Sequence, residues 1–192
     1  MRVLIDTSSL LSLVRNYLPL DKSGFLFEEI RNKISTGEFI LLDAVYEEIK
    51  YQSKGIILKK LDYLSDKGFL KEYKIIVKTD ELLPLAPGKF MNMLGNQFAI
   101  QGQLKRLNEA EFEVKKKEFM ESADAKLILY CQHLIMDHPD EETYLVTEET
   151  AAANDLKLFK KIPAICEILG IPVITLPELL LKKYPNINLG FG

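Results

Sequence analysis

The sequence contains few of the residues on which many enzymes and metal sites depend. Tryptophan is absent, and the 192 residues include only two histidines and two cysteines. The cysteines, Cys131 and Cys166, cannot form a disulfide framework and do not fit a paired zinc-binding spacing. Two histidines alone disfavour a histidine-based acid–base mechanism and a histidine-rich zinc site. The side-chain chemistry that remains is mainly that of carboxylates and hydroxyls.

The chain also lacks a strong charge of either sign and a long hydrophobic run. Its 25 Lys and Arg nearly balance 28 Asp and Glu, which excludes a globally basic nucleic-acid binder but not a local basic track. No apolar run approaches the ~20 residues of a membrane span. Asp6 also interrupts the first apolar stretch where a signal peptide would continue. We therefore expect a cytoplasmic protein with no membrane partner.

Glycine-rich phosphate-binding loops are missing as well. Neither G-x-G-x-x-G nor the G-x-x-x-x-G-K-[ST] pattern is present, which disfavours a dinucleotide-dependent enzyme and a P-loop NTPase. An Asp after the first strand occurs in enzymes that form an aspartyl phosphate. The second Asp that such enzymes use, two residues later, is Ser8 here. That class is therefore disfavoured too.

Short apolar strands alternate with helical segments along the chain. This pattern predicts an α/β fold in which a mainly parallel sheet has helices on both faces. We expect a single domain over residues 1–192, with 82–120 as a possible helical insertion. Within that insertion, the Pro and Gly residues of 82–95 predict a loop, and 97–120 predicts one long charged helix.

Two acidic positions follow predicted strands. Asp6 comes after the strand Arg2–Ile5, and Glu148 and Glu149 come after the strand Thr143–Thr147. Ligands of open parallel sheets collect at the carboxyl ends of strands. Asp6 also fits a helix N-cap, and the two glutamates also fit solvated loop charges.

A third acid, Asp124, shares a helical stripe with apolar residues. At 100° per residue, Ile128, Cys131 and Ile135 lie within 40° of Asp124 around the helix. A buried carboxylate needs a cation, a proton or several hydrogen-bond donors. The alternative is that Asp124 lies in the first helical turn and interacts with the helix dipole.

The helix after the second strand carries two glutamates. Glu48 borders an apolar face, whereas Glu47 points toward Lys50 and is expected on the surface. If the sheet brings Glu48 together with Asp6, Asp124 and Glu149, their repulsion would require a cation. Oxygen ligands of this kind select Mg²⁺ or Mn²⁺, which can activate water for attack on a phosphodiester.

Nearby hydroxyl groups fit such a site. Ser8 and Thr147 are placed to orient a carboxylate or the attacking water. Hydroxyl residues are also common at helix caps, so this supporting role is a hypothesis that rests on the carboxylates.

Four short motifs, in this order, resemble those of PIN domains. They are Val-Leu-Ile-Asp-Thr-Ser-Ser-Leu-Leu at 3–11, Val-Tyr-Glu-Glu-Ile at 45–49, Ala-Asp-Ala-Lys-Leu-Ile at 123–128 and Leu-Val-Thr-Glu-Glu at 145–149. The segment that begins Ile-Pro-Ala-Ile-Cys at 162–166 resembles an uncharacterised PIN-like subgroup with an Ile-Pro-x-x-Cys motif.

The resemblance implies a three-layer α/β/α sandwich and Mg²⁺- or Mn²⁺-dependent cleavage of RNA. It assigns metal binding and catalysis to Asp6, Glu48, Asp124 and Glu149. Many members are VapC-like ribonuclease toxins, often homodimeric and inhibited by a small antitoxin protein. The family usually has Asp at the fourth acidic position, where this chain has Glu149. This difference and the balanced charge leave open a non-catalytic RNA- or protein-binding module.

Several lysines are candidates for contacts with an RNA backbone. Lys157, Lys160 and Lys161 follow the fourth acidic motif and are the preferred set. The basic residues of the charged helical stretch alternate with glutamates, which favours a solvated, ion-paired helix; they are Lys105, Arg106, Lys115, Lys116 and Lys117. Asp155 could support Glu149, although Asn154-Asp155 is typical of a turn.

Overall fold

The computed structural model of the chain describes residues 1–151 and 157–185. Its strands form one parallel sheet in the order β3-β2-β1-β4-β5. They are β1 (Arg2–Ile5), β2 (Phe39–Leu42), β3 (Ile76–Val77), β4 (Thr143–Val146) and β5 (Val173–Ile174). The predicted α/β fold with helices on both faces of a parallel sheet is confirmed, and it is a three-layer α/β/α sandwich.

The helices of the described residues are mostly short. They are α1 (Thr7–Ser12), α2 (Phe25–Ser35), α3 (Asp43–Tyr51), α4 (Ile56–Lys60), α5 (Lys67–Glu72), α6 (Pro87–Met93), α7 (Gln101–Leu104), α8 (Glu109–Glu121), α9 (Ala123–Asp137), α10 (Ile162–Leu169) and α11 (Leu176–Lys183). None of them is both long enough and apolar enough to cross a bilayer.

The register of the sheet determines which residues meet at its carboxyl edge. On β1, Leu4 pairs with Ile40 of β2 and with Leu145 of β4. Because the three strands are parallel and in step, the residues that follow them leave the sheet side by side. Asp6 and Thr147 therefore emerge from neighbouring strands.

The core is apolar on both faces of the central strands. All four residues of β2 are buried, as are Val3, Leu4 and Ile5 of β1. Burial on both faces is typical of a parallel sheet covered by helices. On α9, Ile128 and Cys131 are fully buried, as the helical stripe through Asp124 predicts.

The segment between β3 and α9 differs from its predicted structure. The predicted loop over 82–95 is partly wrong, because Pro87 begins helix α6, which continues into a π turn, Leu94–Phe98. Proline is favoured at the first helical position, so its presence did not exclude a helix there. The predicted helix over 97–120 is interrupted before α8, because Asn108 and Glu111 form a capping box that starts a new helix.

Candidate functional site

Asp6 is held in one orientation by two hydroxyl groups. It occupies the N-cap position of α1, as the alternative interpretation predicts, but its side chain forms no capping hydrogen bond. Its Oδ2 accepts hydrogen bonds from Ser8 Oγ at 2.6 Å and from Thr147 Oγ1 at 2.9 Å. The residue is only 5% exposed. Its carboxylate is therefore fixed at the junction of β1 and β4.

The loop after β4 is attached to the same two hydroxyls. The backbone N–H of Glu148 donates to Ser8 Oγ at 3.0 Å, and that of Glu149 donates to Thr147 Oγ1 at 3.2 Å. Each hydroxyl thus accepts from the loop and donates to Asp6. These hydrogen bonds fix the backbone of the two glutamates relative to the Asp6 carboxylate.

The two glutamates have different partners. Glu148 accepts a 2.7 Å hydrogen bond from the Leu176 backbone N–H at the start of α11. Glu149 accepts a 3.4 Å hydrogen bond from the Ile162 backbone N–H and lies 3.8 Å from the Lys161 ammonium. The charge of Glu149 helps to raise the pKa of Asp124, and Glu149 is the glutamate that the motif spacing selects.

Glu48 reaches the site from α3. Thr7, a buried residue at the start of α1, donates a 2.6 Å hydrogen bond to Glu48 Oε2. Partial desolvation, the charge of Asp6 and that of Glu149 raise the pKa of Glu48, while the Thr7 bond opposes this change. Its neighbour Glu47 pairs with Lys50 on the surface, as the helical spacing predicts.

Asp124 lies in the first turn of α9, two residues after the N-cap. Ser122 Oγ accepts from the Ala125 backbone N–H and forms that cap. No donor in the described part of the chain forms a hydrogen bond with the Asp124 carboxylate. Desolvation, with the charges of Asp6 and Glu149, raises the pKa of Asp124 to about 7, against the influence of Lys157. The helix dipole favours an ionised acid at this position, so desolvation and like charges outweigh it.

The four predicted acids line one pocket of about 810 Å³, which we call the acidic pocket. Asp6, Glu48, Asp124 and Glu149 all contribute to its wall. Four elements supply them, and the pKa changes of Glu48 and Asp124 show that their charges interact. The sequence-based expectation of acids converging at the carboxyl edge of the sheet therefore agrees with the geometry.

The lining of this pocket also includes residues that sequence reasoning missed. Tyr51 is 81% exposed at the end of α3, and Arg15 donates a 2.7 Å hydrogen bond to Ser53 Oγ. The backbone at Ser53, Lys54 and Gly55 is left-handed, and this conformation turns the chain away after α3. Thr7 was missed as well, because its partner Glu48 is 41 residues away and no local pattern links them.

The three predicted RNA-binding lysines separate in space. Lys157 is exposed and lines the pocket, and Lys161 faces Glu149. Lys160 lines a different pocket, which also includes Asn96. Asp155 lies outside the described residues.

The donor set consists of hard oxygen atoms, which is the ligand chemistry of Mg²⁺ and Mn²⁺. Over residues 1–151 and 157–185, however, no three His, Cys, Asp or Glu side chains are arranged as a metal-binding group. The two glutamates are not directed toward a common point, because Glu48 is hydrogen-bonded to Thr7 and Glu149 contacts Ile162 and Lys161. The chemistry of the set fits a divalent ion, and the two glutamates would have to change partners to join it.

Comparison with known proteins identifies one family. A family model described as a domain of unknown function (DUF4411) matches residues 89–186, just over half of the chain. Neither curated proteins nor solved structures give a significant match. The matched segment includes Asp124, Glu149 and Lys157 of the pocket. The chain therefore belongs to the DUF4411 family.

Proposed function

We propose that this protein is a PIN-like, divalent-metal-dependent ribonuclease. The observation that carries the proposal is Asp124, a largely desolvated carboxylate that lacks a hydrogen-bond donor in the described chain and faces other acids in an open pocket. Such a group is costly in isolation, and a cation would relieve both its desolvation and the repulsion. Sites that are unfavourable without their ligand are common where function has been selected over stability.

Asp6, Glu48, Asp124 and Glu149 are the residues that would hold Mg²⁺ or Mn²⁺. A bound ion of this kind lowers the pKa of a water molecule and neutralises phosphate oxygens. The protein's own contribution is orientation: Ser8 and Thr147 hold Asp6, while Ser122 caps the helix that presents Asp124. Lys157 and Arg15 place positive charge at the pocket, where a phosphate backbone would pass.

The test is cleavage of a labelled single-stranded RNA with Mn²⁺ or Mg²⁺. We expect activity that EDTA abolishes and that falls by at least about 100-fold in Asp6→Asn and in Asp124→Asn. Asp137→Asn is the matched control, because Asp137 is exposed at the other end of α9. Equal activity in all four proteins would refute the assignment. Loss of cleavage on addition of a co-encoded small protein would extend the proposal to a toxin and its antitoxin.

A second candidate, a non-catalytic RNA- or protein-binding module, is favoured by a different observation. Asp6, Glu48 and Glu149 already have partners within the chain, and no metal-binding group is formed among the described residues. Titration calorimetry with Mn²⁺ separates the two functions. Binding below about 1 mM that Asp124→Asn removes supports the nuclease, and no binding at that concentration supports the module.

A further inference from the structure

A second pocket, which we call the side pocket, adjoins the acidic pocket. It has a volume of about 580 Å³ and shares Asp124 and Lys157 with the acidic pocket. A cavity of this size lies within the range of about 300–1,000 Å³ that is typical of small-molecule sites. A ligand that occupies both pockets would therefore extend past Asp124 without leaving the protein surface.

The walls of the side pocket come from two segments that are joined by backbone hydrogen bonds. One wall is the region of α7 and α8, and the other is residues 157–159. Phe159 forms an antiparallel bridge with Ala99, and the Ile100 backbone N–H donates to the Leu158 carbonyl at 2.8 Å. Residues between β3 and α9 thus form part of the wall of a pocket beside the acids.

The floor of the side pocket is apolar and aromatic. The rings of Phe119 and Phe159 lie 4.6 Å apart, centre to centre, and Leu107 also lines the pocket. Gln103 contributes an amide whose Oε1 accepts a 3.5 Å hydrogen bond from Arg106 and whose NH₂ group can donate to a ligand. An aromatic floor with an amide at its side is suited to a heterocyclic base, which offers a flat face and a polar edge.

Two exposed cationic side chains line the side pocket beside the acids Asp124 and Glu118. Arg106 and Lys157 are exposed, and neither forms an ion pair with another described residue. By contrast, Lys115 is neutralised by Glu118 at 2.7 Å within the same pocket. Arg106 was expected to be one of the ion-paired residues of a charged helix, and the start of α8 at Glu109 instead leaves it in the connection before that helix.

We propose that the side pocket binds one nucleotide of a single-stranded RNA, with its base against Phe119 and Phe159 and its phosphate at Arg106 and Lys157. This inference rests on the proposed function, because it takes the nucleotide to be adjacent to the phosphodiester at the acids. It assigns a role in substrate positioning to the helical segment between β3 and α9. Recognition of a single base would give the enzyme a preference at one position of the RNA.

The test measures RNA binding separately from cleavage. Fluorescence anisotropy with a labelled single-stranded RNA in EDTA compares the wild-type protein with Arg106→Ala and Lys105→Ala. These neighbours are both exposed and positively charged, but only Arg106 lines the side pocket. We expect Arg106→Ala to weaken binding about tenfold and Lys105→Ala to change it less than twofold. Equal effects of the two variants, or no binding by the wild type, overturn the inference.

Removal of single bases from the RNA tests the aromatic floor. An abasic nucleotide at one position of the oligonucleotide should weaken binding to the wild type about tenfold. Phe159→Leu should bind the abasic RNA and the intact RNA with equal affinity. Thermal melting checks that this variant is folded. Weakening that is uniform over all positions argues against a base pocket.

The two proposals can fail separately. Metal-dependent cleavage that is unaffected by Arg106→Ala refutes the side pocket alone. RNA binding that depends on Arg106 but is never followed by cleavage refutes the nuclease and retains the side pocket.

Discussion

Thr147 donates a 2.9 Å hydrogen bond to the Asp6 carboxylate, although 141 residues separate them in sequence. The contact exists because β4 lies beside β1 in the parallel sheet, with Ile5 paired to Val146. The same hydroxyl accepts the Glu149 backbone N–H, so one threonine links two of the four acids. The geometry of the acidic pocket therefore depends on strand pairing as well as on the acids themselves.

Replacement of Thr147 by Val should lower both stability and activity. Valine has nearly the same shape but cannot donate to Asp6, so we expect a loss of about 1–2 kcal/mol in the free energy of unfolding. Thr147→Ser keeps the hydroxyl and should therefore retain most of the wild-type activity. Chemical denaturation and RNA cleavage measure the two effects. A Thr147→Val variant that is as stable and as active as the wild type would show that the hydrogen bond to Asp6 contributes to neither stability nor RNA cleavage.

The two adjacent glutamates of α3 provide a matched pair. Glu48 contacts Thr7 and faces the acidic pocket, whereas Glu47 pairs with Lys50 on the surface. Glu48→Gln should reduce metal-dependent RNA cleavage by about 10–100-fold, because it removes the charge of a residue that we propose as a metal ligand but preserves its size. Glu47→Gln should leave cleavage within twofold of the wild type. The reverse order of effects would contradict the selection of Glu48.

Asp124 should make stability depend on pH in metal-free solution. Its pKa is raised to about 7 in the folded protein, against an unfolded value of about 3.9. Between these values only the folded carboxyl retains its proton, so its contribution to stability is greatest at low pH and is lost as the pH rises toward 7. Asp124→Asn removes this dependence and should be more stable than the wild type above pH 7, by about 1 kcal/mol or more.

This prediction is checked by urea denaturation in EDTA from pH 5 to pH 8. The difference in unfolding free energy between Asp124→Asn and the wild type reports the titration of Asp124 together with its coupling to the neighbouring acids, while distant titrating groups cancel. The difference should grow in favour of the variant as the pH rises. A constant difference would mean that Asp124 titrates normally.

The N-cap of α9 should matter for the position of Asp124. Ser122→Ala removes the hydroxyl that accepts from Ala125 and should cost about 1 kcal/mol of stability. Asn108→Ala removes the cap of α8 and should have a similar cost, but Asn108 lies outside both pockets. We expect cleavage to fall more in Ser122→Ala than in Asn108→Ala at equal fractions folded. Equal losses of cleavage in the two variants would mean that the N-cap of α9 does not position Asp124 for cleavage.

The sequence predicted the sheet and the four acids better than it predicted the segment before α9. Strong local signals specify the central elements: β2 is entirely apolar, β1 is apolar after Arg2, and Asp124 stands on an otherwise apolar helical stripe. The motif order then places the acids at one edge of a parallel sheet. Each of these inferences needs only local pattern and strand direction.

Contacts between distant segments could not be predicted in the same way. The Thr7–Glu48 bond and the bridge between Ala99 and Phe159 depend on how packed elements meet in three dimensions. The charge pattern around Arg106 predicted ion pairing, but a helix break at Asn108 changed its surroundings. The capping box of Asn108 and Glu111 is a local sequence signal for that break.

The most direct test of the central claim is anomalous X-ray scattering from a crystal soaked in Mn²⁺. We predict a manganese peak within about 2.5 Å of carboxylate oxygens of both Asp6 and Asp124, with Glu48 or Glu149 turned from its present partner toward the ion. A soaked crystal that shows no peak between Asp6 and Asp124, or manganese only at surface sites, would contradict the account.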